Sequence, residues 1–187
     1  TAYGPLKGTP ILNAAKNGTA KMLKVILDGH KIACASDKAH LRDYYNEPGC
    51  LTENTLFCSW KSPIHFSIES GDLEKVKLLV EAGCSLDLKP PVSVRAGTSL
   101  KTATLHEMSP LLYAYNLGKA EIVNYLMPQE RVDINAADNF GDTLLHMAVR
   151  RGDNKMISQL LANPKLDVES ENKTKETPLF LALNIST

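Results

Sequence analysis

The chain has no long apolar run and no excess of either charge. No segment approaches the roughly 20 apolar residues that a membrane-spanning helix needs. Its 21 basic residues are balanced by 21 acidic ones, which removes the main electrostatic argument for binding nucleic acid or an anionic membrane surface. With 43% hydrophobic residues the chain can bury a core, so its composition is not that of a disordered tail.

No secretory signal leads the sequence and no methionine begins it, so we expect a piece of a longer protein. Its 187 residues suit one compact domain or one array of repeats. The cysteines, Cys34, Cys50, Cys58 and Cys84, are sparser than in a small secreted disulfide scaffold. We therefore predict reduced thiols and a cytoplasmic or nuclear location.

Motifs of catalysis and metal binding are also missing. There is no P-loop, no glycine-rich dinucleotide motif, no H-E-x-x-H and no G-x-S-x-G. Cys34, His40, Cys50 and Cys58 share one stretch, but no two cysteines form the close pair that structural zinc sites use. A nucleophilic cysteine would need a lowered pKa and an oriented base, which no pattern indicates. We predict no enzyme activity, no metal and no cofactor.

The feature that is present is an internal repeat. Five segments align on one phase: TPILNAAKNG, SPIHFSIESG, SPLLYAYNLG, TLLHMAVRRG and TPLFLALNIS. They begin at Thr9, Ser62, Ser109, Thr143 and Thr177. Thr or Ser before Pro is typical of a helix start. Glycine ends each segment except the last, which suits a left-handed residue after a helix.

A second amphipathic segment follows each of the first four glycines. Its apolar residues have the i, i+3, i+4 spacing of a helix with one apolar face. They are Leu23, Ile26 and Leu27; Val76, Leu79 and Val80; Val123, Leu126 and Met127; and Ile157, Leu160 and Leu161. The pattern predicts helices over 10–17, 20–28, 63–70, 73–81, 110–117, 120–127, 144–151, 154–162 and 178–185.

This pattern resembles the ankyrin repeat, most closely in VDINAADNFGDTLLHMAVRRG at residues 132–152. The resemblance implies an all-α ankyrin-repeat solenoid, with about four full repeats and a C-terminal half repeat in a single domain over residues 1–187. It implies a protein-interaction module or scaffold. It also implies that His65 and His146 form hydrogen bonds between adjacent turns.

The spacing between repeats departs from that family. Start-to-start distances are 53, 47, 34 and 34 residues, against about 33 for the family. We therefore predict inserts at 30–61 and 89–108, as long loops or β-hairpins, with one more helix at 36–46. The half repeat would expose an apolar face, so we expect the chain to continue or this helix to act as a cap.

The resemblance places a partner on the concave surface, at the ends of the first helices and at the hairpin tips. The candidates are Lys16, Asn17, Glu69, Ser70, Asn116, Leu117, Arg150 and Arg151, with Asn139, Phe140 and Asp142 at a tip. Phe140 either anchors a partner or packs on the adjacent hairpin. Arg150 and Arg151 either pair with an acidic partner or are only solvated.

The inserts offer further candidates. Tyr44, Tyr45 and Trp60 lie in an aromatic stretch that either binds a partner or, as we favour, folds back onto the repeats. Arg95 and Lys101 make the second insert a basic finger that could contact an acidic partner or phosphate. Asn135 occupies a turn where ankyrin proteins can be hydroxylated on asparagine, although we favour its ordinary turn-forming role.

Three functions remain open. We favour a monomeric module that binds another protein. The array could instead be the targeting region of a larger enzyme or effector. A phosphate- or nucleotide-type ligand could also bind at the basic finger.

Overall fold

A computed structural model describes residues 9–33, 61–89 and 108–185 of the chain, and the regular structure in these ranges is helical apart from isolated β-bridge residues. The helices are α1 (Pro10–Asn17), α2 (Ala20–Ala33), α3 (Pro63–Ser70), α4 (Leu73–Ala82), α5 (Pro110–Asn116), α6 (Ala120–Leu126), α7 (Leu144–Arg151), α8 (Asn154–Leu161) and α9 (Pro178–Ile185). The predicted all-α array of helix pairs with a C-terminal half repeat is confirmed.

The predicted helix limits agree with the structure to within a residue except in α2. This helix runs on to Ala33 instead of ending at 28, so residues 30–33 do not belong to an insert. Gly29 lies within α2 and lacks the positive φ of the glycines that end other helices of the array. Apart from Lys61, Lys89 and Met108 at their edges, the remainder of both inserts, including the predicted hairpins and the helix at 36–46, lies outside the described residues.

Most helix ends follow the sequence signals, although the Ser62 side chain makes no capping hydrogen bond to the backbone of the helix that it precedes. The hydroxyl oxygens of Thr9 and Ser109 accept hydrogen bonds from Leu12 N and Leu112 N, each three residues into the helix. Gly71 and Gly152 are left-handed, as predicted. Gly18, however, is extended, and a Cβ there would lie 2.8 Å from Ala14 O. Close contact, not a positive φ, thus requires glycine at position 18.

The helix pairs stack in two rows. Among first helices, α1 packs on α3, α3 on α5, and α7 on α9, whereas among second helices α2 packs on α4 and α4 on α6. One apolar core runs through the first four repeats. The same register supplies it with a buried residue in each repeat: Ile11, Ile64, Leu111 and Leu145. The repeat phase in the sequence is therefore the phase of the core.

A tight hairpin precedes α7. Ala137 and Thr143 form an antiparallel bridge, and Asp138 N donates to Asp142 O. Gly141 at its tip has a φ of 81°, and a Cβ there would approach Lys173 N to 2.8 Å. The hairpin tip thus packs directly on the turn of the following repeat.

Candidate interaction surface

Two buried histidines join successive repeats. His65 Nε2 lies 3.0 Å from Met108 O, and His146 Nε2 lies 3.0 Å from Glu176 O. Thr143 N donates to His146 Nδ1, so in that ring the remaining proton is on Nε2, which donates to the carbonyl. The corresponding nitrogen of His65 contacts the Ser62 hydroxyl at 2.6 Å. These contacts show the bonding between adjacent turns that the resemblance implied.

The environment of His65 favours its neutral form. Burial lowers the pKa of His65 to about 4, against its ordinary value of 6.5. The hydrogen bond to Met108 O acts in the opposite direction, and the nearby Lys61 ammonium lowers the pKa further. His65 is therefore a neutral, structural hydrogen-bonding group at neutral pH, with no sign of acid–base chemistry.

The turn asparagine forms a second kind of link between repeats. Asn135 Nδ2 donates to Lys165 O at 2.8 Å, while its Oδ1 accepts from Asp167 N at 2.8 Å. Asp87 occupies the same register one repeat earlier, and its Oδ1 accepts from Asp133 N at 3.1 Å. A carboxylate has no N–H to offer the carbonyl of Arg131, the counterpart of Lys165. Sequence reasoning missed Asp87, although its position after Ser85–Leu86 matches that of Asn135.

We expect Asp87→Asn to stabilise the fold by up to about 1 kcal/mol, because the amide can add the second hydrogen bond that Asn135 makes. The reciprocal change Asn135→Asp should cost a similar amount, since it removes that donor. Urea denaturation of both variants gives the two free energies of unfolding. If Asp87→Asn lowered the free energy of unfolding as much as Asn135→Asp does, the missing donor at Asp87 would have no effect on stability.

Basic side chains of later repeats bond the helix ends of earlier ones. Lys75 Nζ donates to Ala15 O near the end of α1. Arg131 donates to Val80 O in α4, and Arg151 donates to Tyr115 O in α5. Carbonyls in the last turn of a helix lack intrahelical donors, and the helix dipole favours a cation there. These contacts fix the position of each repeat against its predecessor.

The candidates on the first helices form one exposed row. Each first helix of the four full repeats places two candidates in its last turn or just after it, and of these only Lys16 is partly buried. The pairs are Lys16 and Asn17, Glu69 and Ser70, Asn116 and Leu117, and Arg150 and Arg151. We call these eight residues the first-helix row. The types of side chain in this row differ from repeat to repeat, whereas the helix that carries them recurs in each repeat.

The two arginines of this row are held by their own chain. Arg150 Nη1 lies 2.9 Å from the Asp142 carboxylate, and a second nitrogen lies 3.7 Å from Glu176. Arg151 stacks on the Tyr115 ring at 4.7 Å and also donates to Asn116 Oδ1. Both arginine side chains therefore interact with other residues of the chain and are not merely solvated.

Asp142 differs from the other candidates because it is buried. Its carboxylate accepts from Arg150 and from Asn172 Nδ2, the latter at 3.0 Å. Asn172 also donates to the carboxylate of Glu176. We therefore assign Asp142 an internal role in joining the hairpin to the next turn, instead of a direct contact with a partner.

A lysine lies between two aromatic rings at the start of α3. The Lys61 ammonium is 5.8 Å from the Phe66 ring centre and 5.4 Å from that of Tyr113. It also pairs with Glu69 at 2.9 Å. Burial lowers the pKa of Lys61, but the interactions with Tyr113 and Glu69 outweigh burial and raise the pKa overall. The Lys61 ammonium therefore compensates the negative charge of Glu69.

Phe140 is half exposed at the tip of the hairpin. Its backbone carbonyl accepts from Lys173 N at 2.9 Å, so the tip is anchored to the following turn. The neighbouring candidate Asn139 is partly buried. A half-exposed aromatic ring on a fixed backbone has the character of an interface anchor, because little entropy is lost when it is covered.

The remaining candidates either lie outside the described residues or are buried in the core. Tyr44, Tyr45, Trp60, Arg95 and Lys101 fall outside the described residues. Cys84 is buried, and burial raises the pKa of its thiol to about 12, which suits a small apolar core residue. Among residues 9–33, 61–89 and 108–185, no group of His, Cys, Asp or Glu is arranged to hold a metal.

A groove of about 250 Å³ separates the third and fourth repeats. Tyr115, Val123 and Met156 form apolar parts of its wall, and Arg151 and Lys155 lie at its polar side. Small-ligand sites usually span roughly 300–1,000 Å³. The groove is therefore smaller than a typical ligand pocket.

The helices of the described ranges include none with the length and apolarity to cross a bilayer. Residues 111–185 match the family model for ankyrin repeats in three copies. A putative ankyrin repeat protein of Rickettsia bellii (strain RML369-C) is 32% identical to this chain over 123 residues, covering 62% of this chain and 67% of that relative.

Proposed function

This chain belongs to the ankyrin-repeat family, and we propose that it binds one partner protein through the first-helix row and the hairpin tip at Phe140. Ankyrin repeats are in general protein–protein interaction modules. The observation that carries the proposal is the row itself, in which exposed side chains vary while the buried register beneath them stays constant. Constant core positions are explained by stability, whereas a varied exposed row suits one specific partner.

The apolar contacts of this surface would come from Phe140 and Leu117, its two exposed large apolar side chains. Binding energy in protein interfaces concentrates in a few such anchors. Arg151 and Asn116 would add polar contacts around them, in an orientation already set by their mutual hydrogen bond. Such preorganisation lowers the entropic cost of binding.

The test begins with a pull-down using the 187-residue chain, followed by calorimetry with the identified partner. We expect the double variant Phe140→Ala and Leu117→Ala to weaken binding at least tenfold, because both anchors are lost. Arg150 is left unchanged, since its loss would also disturb the buried Asp142.

The matched control is Leu161→Ala, which truncates an exposed leucine of α8 outside this surface. Its affinity for the partner should equal that of the wild type in dilute solution. Circular dichroism should show equal helix content in all variants. Unchanged affinity of the double variant would place the interface elsewhere. The alternative of a phosphate site at the basic finger has no support among the described residues, because Arg95 and Lys101 lie outside them.

A further inference from the structure

The groove between the third and fourth repeats lies where two large side chains of the preceding junction have smaller or polar counterparts. Leu73 in α4 and Tyr125 in α6 are partly buried and pack against the core. In the same registers, one repeat later, Ala120 and Gln159 line the groove. An alanine leaves space where a leucine would pack. The groove is therefore a feature of this junction, and not of every junction in the array.

The wall of the groove combines apolar groups with amides. Val123 of α6, Met156 of α8 and Tyr115 of α5 supply its apolar part. The side-chain amides of Asn124 and Gln159 also line it, and neither forms a hydrogen bond with the residues of the described ranges. With a volume of about 250 Å³ the groove is small for a free ligand. Its size and composition suit a side chain and adjoining main chain of a peptide.

The charged groups of the groove leave a lysine without a partner. Arg151, Asp153 and Lys155 are its charged lining residues, and two cations with one carboxylate give a net charge of +1. Both oxygens of Asp153 are occupied, because Oδ1 accepts from Met156 N at 3.0 Å and Oδ2 accepts from the Tyr115 hydroxyl at 3.1 Å. The Lys155 ammonium forms no ion pair or hydrogen bond with the part of the chain that the structure describes. This ammonium is thus available to an acidic group from outside the chain.

The positive charge is specific to the fourth repeat. Glu74 and Glu121 occupy the register of Lys155 in the second and third repeats. The guanidinium of Arg151 donates to main-chain carbonyls and to Asn116 Oδ1, so no carboxylate of the described residues compensates its charge. The groove thus carries two cations without acidic partners, whereas the same register is acidic in the repeats before it.

We propose that this groove is a subsite for an acidic segment of the partner protein. An apolar side chain of that segment lies on Val123 and Met156, and a neighbouring carboxylate pairs with Lys155. The inference rests on the proposed function, because Arg151 belongs both to the first-helix row and to the groove and so makes the two surfaces continuous. Charge complementarity of this kind selects the partner and speeds association.

Panning a phage-displayed library of random peptides against the 187-residue chain tests the subsite. We expect the selected peptides to share an acidic residue beside an apolar one. Lys155→Glu, which introduces the residue type of Glu121, should weaken binding of a selected peptide about tenfold, because like charges then face each other. Lys24→Glu, at an exposed lysine of α2, is the matched control that should bind like the wild type.

A second variant tests the shape of the groove. Ala120→Leu combined with Gln159→Tyr introduces the residue types that the preceding junction accommodates at Leu73 and Tyr125. Helix content in circular dichroism should therefore be unchanged, whereas binding of the selected peptides should be lost. Selected peptides that lack acidic residues would overturn the proposal, as would equal binding to this variant or a library that yields no binding peptide.

Calorimetry with the partner protein separates the two proposals. If Lys155→Glu leaves its affinity unchanged while Phe140→Ala with Leu117→Ala weakens it, the first-helix row binds the partner and the groove does not. If only Lys155→Glu and the filled groove weaken binding, the groove is a binding site and the first-helix row is not.

Discussion

Lowering the pH from 7 to 4 is expected to destabilise the protein by about 3 kcal/mol through His65 alone. The folded-state pKa of His65 is about 4, whereas its ordinary value is 6.5. Between these values the unfolded chain binds more protons than the folded one. The stabilising contribution of neutral His65 is therefore fully present above pH 6.5 and is lost as the pH falls toward 4.

The cost has a clear structural origin. A proton on Nδ1 would prevent that atom from accepting a hydrogen bond from the Ser62 hydroxyl, 2.6 Å away. It would also bury a second cation near Lys61. Urea denaturation at a series of pH values, for the wild type and for His65→Gln, measures the effect. Titration of the carboxylates is common to both proteins and cancels in the difference.

We expect the stability advantage of the wild type over His65→Gln to shrink steadily below pH 6.5. Parallel pH profiles for the two proteins would show that His65 is not the titrating group. The partly exposed and exposed ion pairs should contribute less to this profile, because solvent screens them.

Replacing Asp142 by alanine is expected to cost about 2–3 kcal/mol, because it leaves the buried amide of Asn172 without one of its acceptors and removes the ion-pair partner of Arg150. The Asp142 carboxylate bonds both Arg150 and Asn172, and the Asn172 amide is itself buried. Loss of the carboxylate would loosen the hairpin at 137–143 from the turn at 172–176. Thermal and urea denaturation should both report the loss.

Arg150→Ala provides the matched comparison for Asp142→Ala. Its side chain is 46% exposed, so the ion pair is partly screened and its removal should cost less than about 1 kcal/mol. The double variant should cost little more than Asp142→Ala alone, since both residues belong to one network. Equal losses from the two single variants would contradict the view that the buried acceptor is the dominant partner.

The periodicity located most of the helices because the residues that repeat are those that face the core. Ile11, Ile64, Leu111 and Leu145 recur on one phase and are all buried. The predicted end of α2 at residue 28 was wrong, because the helix continues through Gly29 to Ala33 although glycine is a poor helix former. Propensity is a weak local preference, so it does not by itself fix where a helix ends.

The candidate surface could be predicted only as a row of positions. The sequence indicates that Arg150 and Arg151 end a first helix, but not that one pairs with Asp142 and the other stacks on Tyr115. These contacts join residues far apart in sequence, and their geometry depends on how one repeat is rotated against the next. Exposure and pairing therefore had to come from the structure.

The repeat found in the sequence determined the fold class and the helix pairs, because these follow from local patterns that recur in each unit. The linking roles of His65 and His146 were implied by the resemblance to ankyrin repeats. The tertiary structure decided which of the recurring positions form their hydrogen bonds and which are buried. Asp87 lacks the donor that Asn135 has, and Lys175 adopts a φ of 63° at the register where Gly141 has 81°. The same apolar register is buried four times and exposed once, at Leu179. Sequence periodicity specifies what each unit offers, whereas burial depends on which neighbour covers it.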